Sequence, residues 1–284
     1  VSFAAVPSGA NEGEIRVVVR GDDMGSCHGA NVAMVKCYRE GIMRSAEIMP
    51  ATPWFNEAVK MCRENPGMDV GLHLGVTSEW DNYKWGPITP VTTFVDEQGY
   101  FWPQVKNWQE PAATNAMLSP KTDLKELEAE LRAQIELGIS KLGDQVTHMG
   151  GHMGTSRITP EIEALHQRLA DEYGLLFDTR PLGIKRAGRW RGESSQERIN
   201  ALAKLFDELE PGTYILVEHP GLDTPEMAAM SSIQDVGKQR QAVTDAFCSA
   251  KVKEVIQRRG IKLISYRDLR EEAKALDTNE ARSP

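Results

Sequence analysis

Short apolar or β-branched runs alternate along this chain with longer stretches of helical spacing. The runs fall at residues 15–20 (IRVVVR), 46–49, 70–74 (VGLHL), 145–148, 175–179, 214–218 and 262–265, and most are followed by turn-forming segments such as GDDMG, PATP, GVT, GGHMG, RPLG and HPGLD. Between them lie amphipathic helices. One starts near Thr122 and aligns Leu124, Leu127, Leu131 and Ile135. Another takes Thr159 as N-cap and Pro160 as its first residue, then aligns Ile162, Leu165 and Leu169. Alternation of this kind predicts a parallel sheet. Seven units with no linker between them predict an α/β fold with one closed or nearly closed TIM-barrel-like (β/α) barrel of about seven parallel strands, over residues 14–284.

The pattern breaks at residues 78–119, which carry Trp80, Trp85, Trp102 and Trp108, four of the six tryptophans. A loop this long inside a compact domain is usually functional. Aromatic faces stack on sugar rings, so the segment reads either as a wall of a carbohydrate groove, with Trp85 and Trp102 as contacts, or as a lid around its own small core.

Composition narrows the class. Hydrophobic residues at 40% and charged residues at 26% are ordinary for a globular enzyme, and no apolar run approaches the roughly 20 residues of a membrane span. A net charge of −8, without a basic and aromatic cluster, excludes nucleic acid as an expected partner. Cys27, Cys37, Cys62 and Cys248 form no C-x-x-C pair, which argues against a cysteine zinc site; a Cys37–Cys62 disulfide stays open, since the two fall on neighbouring predicted helices. Residues 1–13 read as a flexible segment whose Val1 start suggests trimming, which keeps a cytoplasmic and an exported or periplasmic location both open. A homodimer is also left open.

Polar clusters sit just after the predicted strands, the rim where a parallel barrel builds its active site. They are Asp22-Asp23, His73, His148 with His152, Arg180, and Glu218-His219. Either an acidic pair or one His would mean little alone. Five of the six histidines, however, lie in these clusters or, for His28, beside the Asp pair; His166 alone stands apart on a helix. Two His and one Asp suit an open catalytic site for one divalent ion, zinc before magnesium. A neighbouring carboxylate can take a proton from water, and His219 or His148 can protonate a leaving amine or stabilise the intermediate. Arg180 at the same rim is a candidate substrate contact.

GDDMG, GLHLGVT, THMGGHMG and VEHPG, in this order, resemble the motifs of the YdjC/ChbG carbohydrate deacetylases. The resemblance runs from Val17 to Leu269 and includes GIMRSAEIMP, ENPGMDVGLHL and ISYRDL. It implies a TIM-barrel-like fold and metal-dependent hydrolysis of N-acetyl groups from amino sugars such as chitooligosaccharides. It also implies Asp23, His73 and His152 as metal ligands, Asp22 as general base, His219 as acid or transition-state stabiliser, and His148 as a supporting or substrate-contacting group. Two departures stand out. Arg20-Gly21 precedes the Asp pair, where the family pattern is N/A-D-D-F-G. Gly150 and Gly154 replace an acid and a His of the pattern T-H-x-D-S-H-x-H.

Two rival classes remain. One is another metal-dependent hydrolase or a glycosidase on the same barrel; a glycosidase would use a carboxylate pair such as Asp22 and Glu218, but needs no His cluster. A non-catalytic sugar-binding relative would have lost a ligand or the base, and none is missing.

Overall fold

The computed structural model describes residues 13–280, with side chains through residue 275. The expected N-terminal segment, 1–13, therefore lies outside the described residues except for Gly13. In chain order the strands are β1 (Ile15–Met24), β2 (Ser45–Ile48), β3 (Asp69–Leu74), β4 (Val146–Gly151), β5 (Lys185–Arg186), β6 (Gly212–Glu218) and β7 (Lys262–Ile264). The helices are α1 (His28–Arg39), α2 (Phe55–Arg63), α3 (Leu124–Leu142), α4 (Pro160–Tyr173), α5 (Ser195–Asp207), α6 (Pro225–Ala229), α7 (Val236–Cys248), α8 (Ala250–Arg258) and α9 (Tyr266–Glu280). Local chemistry sets the helix starts. Thr159 caps α4 through the Ile162 N–H, ahead of Pro160. Ser194 and Glu197 form a reciprocal capping box on α5.

All pairings between the named strands are parallel, in the order β4-β3-β2-β1-β6-β5. β6 takes one edge of β1, and β7 and β2 share the other in succession, β7 at Arg16–Val18 and β2 from Arg20 onward. Val17, Val19, Ile48, Leu72 and Leu74 are buried in one continuous core with Leu127, Leu131 and Ile135 of α3 and Leu169 of α4. No helix among the described residues is long and apolar enough to cross a membrane.

The barrel does not close, which corrects the closed TIM-barrel expectation. The sheet is a curled half-barrel whose end strands, β4 and β5, do not pair. The expected fifth strand, 175–179, makes a single bridge, Leu176 to His148, before the chain turns away through a 3-10 turn at Arg180–Leu182 that contains Pro181. The strand that joins the sheet there is β5, two exposed residues long. The sequence pattern is silent about it because neither residue is apolar.

The Cys37–Cys62 pairing is also corrected, for both thiols are free and buried. Cys62 Sγ lies 3.8 Å from Met24 Sδ, and Cys37 Sγ faces the Thr244 carbonyl. Of the two readings of 78–119, a sugar wall or a lid around its own small core, the structure presents neither as such: the buried aromatics of the segment join the main core of the domain. Phe94 and Phe101 stack with ring centroids 6.0 Å apart, and Trp80 and Trp85 are buried.

Candidate active site

The unclosed seam between β4 and β5 is a cavity of about 530 Å³, within the roughly 300–1,000 Å³ usual for small-molecule sites. Asp22, His73, Gly150, Phe177, Arg180 and His219 are among its lining residues. The incomplete barrel thus supplies the room that a packed (β/α)8 interior lacks.

Adjacent residues on a strand point to opposite faces, so Asp22 and Asp23 should diverge. They converge because the β1–β2 register slips between Gly21 and Met24, and Asp23 takes a left-handed backbone (φ 72°) that Asp tolerates better than most residues. Ser26 holds that turn, its N–H and hydroxyl both donating to the Asp23 carbonyl at 3.1 and 2.7 Å. Asp23 Oδ1 then lies 3.5 Å from His73 Nε2 and 3.3 Å from His152 Nδ1. His73 comes from β3, and His152 from the 3-10 segment His152–Arg157 after β4.

The far nitrogen of each imidazole is held by a carboxylate. His73 Nδ1 bonds Glu47 Oε2, and His152 Nε2 bonds Glu79 Oε2 at 2.9 Å. This is how ligating histidines are usually oriented. Asp23 Oδ2 accepts from Arg240 Nη2 at 2.9 Å, and His219 Nε2 is 4.0 Å away. Asp22 is held by Arg20, which also reaches Glu47 Oε1 at 2.6 Å and donates to the Tyr266 hydroxyl at 3.0 Å.

These residues fit a divalent ion. Asp23 Oδ1 and His152 Nδ1 are buried without hydrogen-bond partners, and with a nitrogen of His73 they form a compact ligand set. Ligands about 2.0–2.2 Å from a tetrahedral ion stand roughly 3.3–3.6 Å apart, close to the spacings from Asp23 to the two imidazoles. Four carboxylates, Asp22, Asp23, Glu47 and Glu79, face two guanidiniums, Arg20 and Arg240, which leaves a deficit of two positive charges among these side chains. Burial opposes charge on the His152 ring, yet Glu79 and Asp23 bring its pKa up to about 10. His73 is raised too, Asp22 and Glu47 outweighing its burial. Burial would push the Asp23 carboxyl up, but His219, Arg240 and His152 hold it well below the usual range. A second set, Asp22, Glu47 and His73, is a weaker candidate because Arg20 already engages both of its carboxylates.

The other sequence candidates are dispersed. His219 lines the cavity with 46% of its side chain exposed. Arg180 also lines it, tied to Asp178 and Glu163. His148 is fully buried, stacked on Tyr266 at 3.9 Å, with Nδ1 on Thr147 Oγ1; burial, with Arg20 and Arg270 nearby, keeps it neutral. The expected substrate contact from His148 is thereby corrected to internal packing. Trp85 and Trp102 do not line the cavity either. Trp85 is buried with its ring 6.0 Å from that of His152, and Trp102 is half-buried with its Nε1 enclosed. Glu218 points away from the cavity that its neighbours Val217 and His219 line, toward Arg198 at 3.8 Å, so the glycosidase pair with Asp22 is not assembled.

Sequence reasoning missed Glu47, Glu79, Arg240 and the grip of Arg20. Glu47 could have been flagged as an acid inside the buried strand SAEI, and Glu79 follows GLHLGVT closely. Arg240 carries no local signal, since it sits on α7, 217 residues from its partner Asp23.

A family model described as YdjC-like protein matches residues 16–258. The chain is 27% identical over 243 residues to a carbohydrate deacetylase of Thermoanaerobacter pseudethanolicus, covering 81% of this chain and 90% of that one. It is 31% identical over 161 residues to carbohydrate deacetylase 1 of Listeria innocua, covering 57% and 59%. Among solved structures, an Enterococcus faecalis protein described as a "putative cellobiose-phosphate cleavage protein" aligns with a TM-score of 0.71 at 22% identity, over 90% of this chain and 99% of that one. At that identity the likeness shows a shared fold.

Proposed function

The chain belongs to the YdjC-like protein family, and from that premise we propose that it is a metal-dependent carbohydrate deacetylase that removes N-acetyl groups from an amino sugar or a chitooligosaccharide-like substrate. The observation that carries this reading is the convergence of Asp23, His73 and His152 beside the cavity, with Asp23 Oδ1 and His152 Nδ1 unpartnered and a second carboxylate, Asp22, next to them. Asp23 Oδ1, His73 Nε2 and His152 Nδ1 would hold the ion, zinc in preference to magnesium because two imidazoles outweigh one carboxylate. What a divalent ion contributes at such a site is polarisation of the amide carbonyl and a lower pKa for water.

The remaining chemistry belongs to the chain. Asp22 is the general base. Burial raises its pKa, but Arg20, His73 and His219 bring it below the ordinary value, so at neutral pH it is ionised and able to accept a proton. Arg20 fixes its plane and leaves one lone pair on each oxygen. His219, across the cavity mouth and partly exposed, donates the proton that the departing amine requires. Arg180 on the outer wall is a sugar contact.

The test is acetate release from a panel of N-acetylated mono- and oligosaccharides by zinc-loaded protein. Release that stops on chelation and returns with zinc is expected. A zinc-loaded, folded protein that liberates acetate from none of the panel contradicts the reading.

A further inference from the structure

Glu47 is completely buried, an acid among apolar neighbours on β2. Such a group is costly to bury unless it is paired and hydrogen-bonded; Glu47 is hydrogen-bonded through Oε2, while Oε1 has an ion pair but no hydrogen bond. Its Oε2 meets His73 Nδ1, and its Oε1 meets Arg20 Nη1 at 2.6 Å, with His148 Nε2 at 3.7 Å. Arg20 in turn holds Asp22. One carboxylate therefore links a metal-ligand candidate to the group that fixes the base.

The room for that carboxylate comes from Gly150, and the room for the His148 ring beside it from Gly71. A Cβ on Gly150 would stand 2.8 and 2.9 Å from the two Glu47 oxygens, and a Cβ on Gly71 would stand 2.3 Å from His148 Nε2. Gly150 pairs with His73 in the β3–β4 ladder, so a side chain there would enter the space beside the His73 ring that Glu47 now fills from β2. Its backbone is outside the left-handed region, so an L side chain at 150 would be opposed by Glu47, whose carboxylate would have to move, and not by its own φ.

We propose that Glu47 is the positioning residue for His73, filling from β2 a space that Gly150 on β4 leaves open. Accepting from Nδ1–H, it selects the imidazole tautomer whose Nε2 lone pair faces Asp23, and through Arg20 it couples that choice to the orientation of Asp22. The proposal rests on the reading of His73 as a metal ligand.

The experiment measures zinc affinity of metal-free protein by competition with a chromophoric chelator, with melting temperature as the check on folding. The variants are His73→Ala, Glu47→Gln, Glu47→Ala, Gly150→Asp and the double variant Glu47→Ala with Gly150→Asp. Loss of an outer-shell partner typically costs about 10–100-fold in metal affinity, so both single Glu47 variants should weaken zinc by that factor. Gly150→Asp alone should weaken zinc and lower the melting temperature, because two carboxylates would compete for one space. The double variant should regain most of the affinity that Glu47→Ala loses. Glu47→Gln keeps the volume and carries the test where Glu47→Ala does not fold. Zinc affinity unchanged in the Glu47 variants while His73→Ala loses zinc overturns the proposal and leaves the metal site standing; affinity unchanged in His73→Ala overturns the ligand assignment itself. A folded double variant that regains nothing shows that a carboxylate in that space does not position His73, and overturns the proposal.

Discussion

Arg20 grips Asp22 with two hydrogen bonds, Nε to Oδ1 at 2.7 Å and Nη2 to Oδ2 at 2.9 Å, across two residues of the same strand. A bidentate guanidinium fixes the plane of a carboxylate as well as its charge. Asp22 thus reaches the cavity with little rotational freedom, next to Asp23, whose own orientation depends on the register slip in β1.

Arg20→Lys should therefore impair turnover, although it conserves charge, because an ammonium cannot reproduce the fork. Burial raises the Asp22 pKa, while Arg20 heads the interactions that lower it. Weakening that interaction raises the pKa, so the acid limb of the pH–rate profile should move to higher pH, by about one unit. Acetate release against pH at equal zinc occupancy checks this; an unmoved acid limb would show that Arg20 does not tune the base.

The sequence made the β1 end legible because a buried run, two acids and a glycine stand together, and His73 was legible as a polar residue in VGLHL. What it could not convey was tertiary. Asp22 and Asp23 face one way only because of the register slip and the left-handed Asp23. Glu47 and Arg240 acquire meaning from partners 26 and 217 residues distant. The Leu175–Thr179 stretch carries strand-like residues, yet it bridges His148 only once, and whether a sheet closes depends on edge pairing that periodicity does not encode. The tryptophans mislead for a related reason: an aromatic in a long loop has the same sequence signature whether it faces a sugar or a core.

Trp85 and Trp108 separate those two cases. Trp85 is 2% exposed against His152, whereas Trp108 is 71% exposed. Trp85→Ala should cost roughly 3–5 kcal/mol of stability and weaken zinc binding through the loosened His152 ring. Trp108→Ala should stay within about 0.5 kcal/mol. Denaturant unfolding checks both, and equal effects would place the two side chains in like environments, contrary to the structure.

His166, buried on α4, predicts an acid-labile fold. It is buried on α4 with Nδ1 on the Ile162 carbonyl and its ring stacked on Phe177, and burial lowers its pKa to about 4. The unfolded chain binds a proton near pH 6.5 that the folded chain refuses until about pH 4, so stability is lost as pH falls through that window, by at most about 3 kcal/mol. Urea unfolding between pH 7 and pH 4 should show the slope, and His166→Leu should reduce it, buried His148 contributing what remains. An undiminished slope in the variant would assign the acid sensitivity to other groups.

The most direct test of the account compares Asp22→Asn with Asp23→Asn at measured zinc occupancy, using acetate release from an N-acetylated substrate that the wild type cleaves. Asp22→Ala accompanies them, because an Asn amide turned toward Arg20 would set donor against donor. The Asp22 variants should keep zinc and lose about 10²–10⁴-fold in turnover, the usual contribution of a general base. Asp23→Asn should lose zinc affinity and activity together. Zinc-replete Asp22 variants that release acetate at near wild-type rates would contradict the assignment of Asp22 as the base.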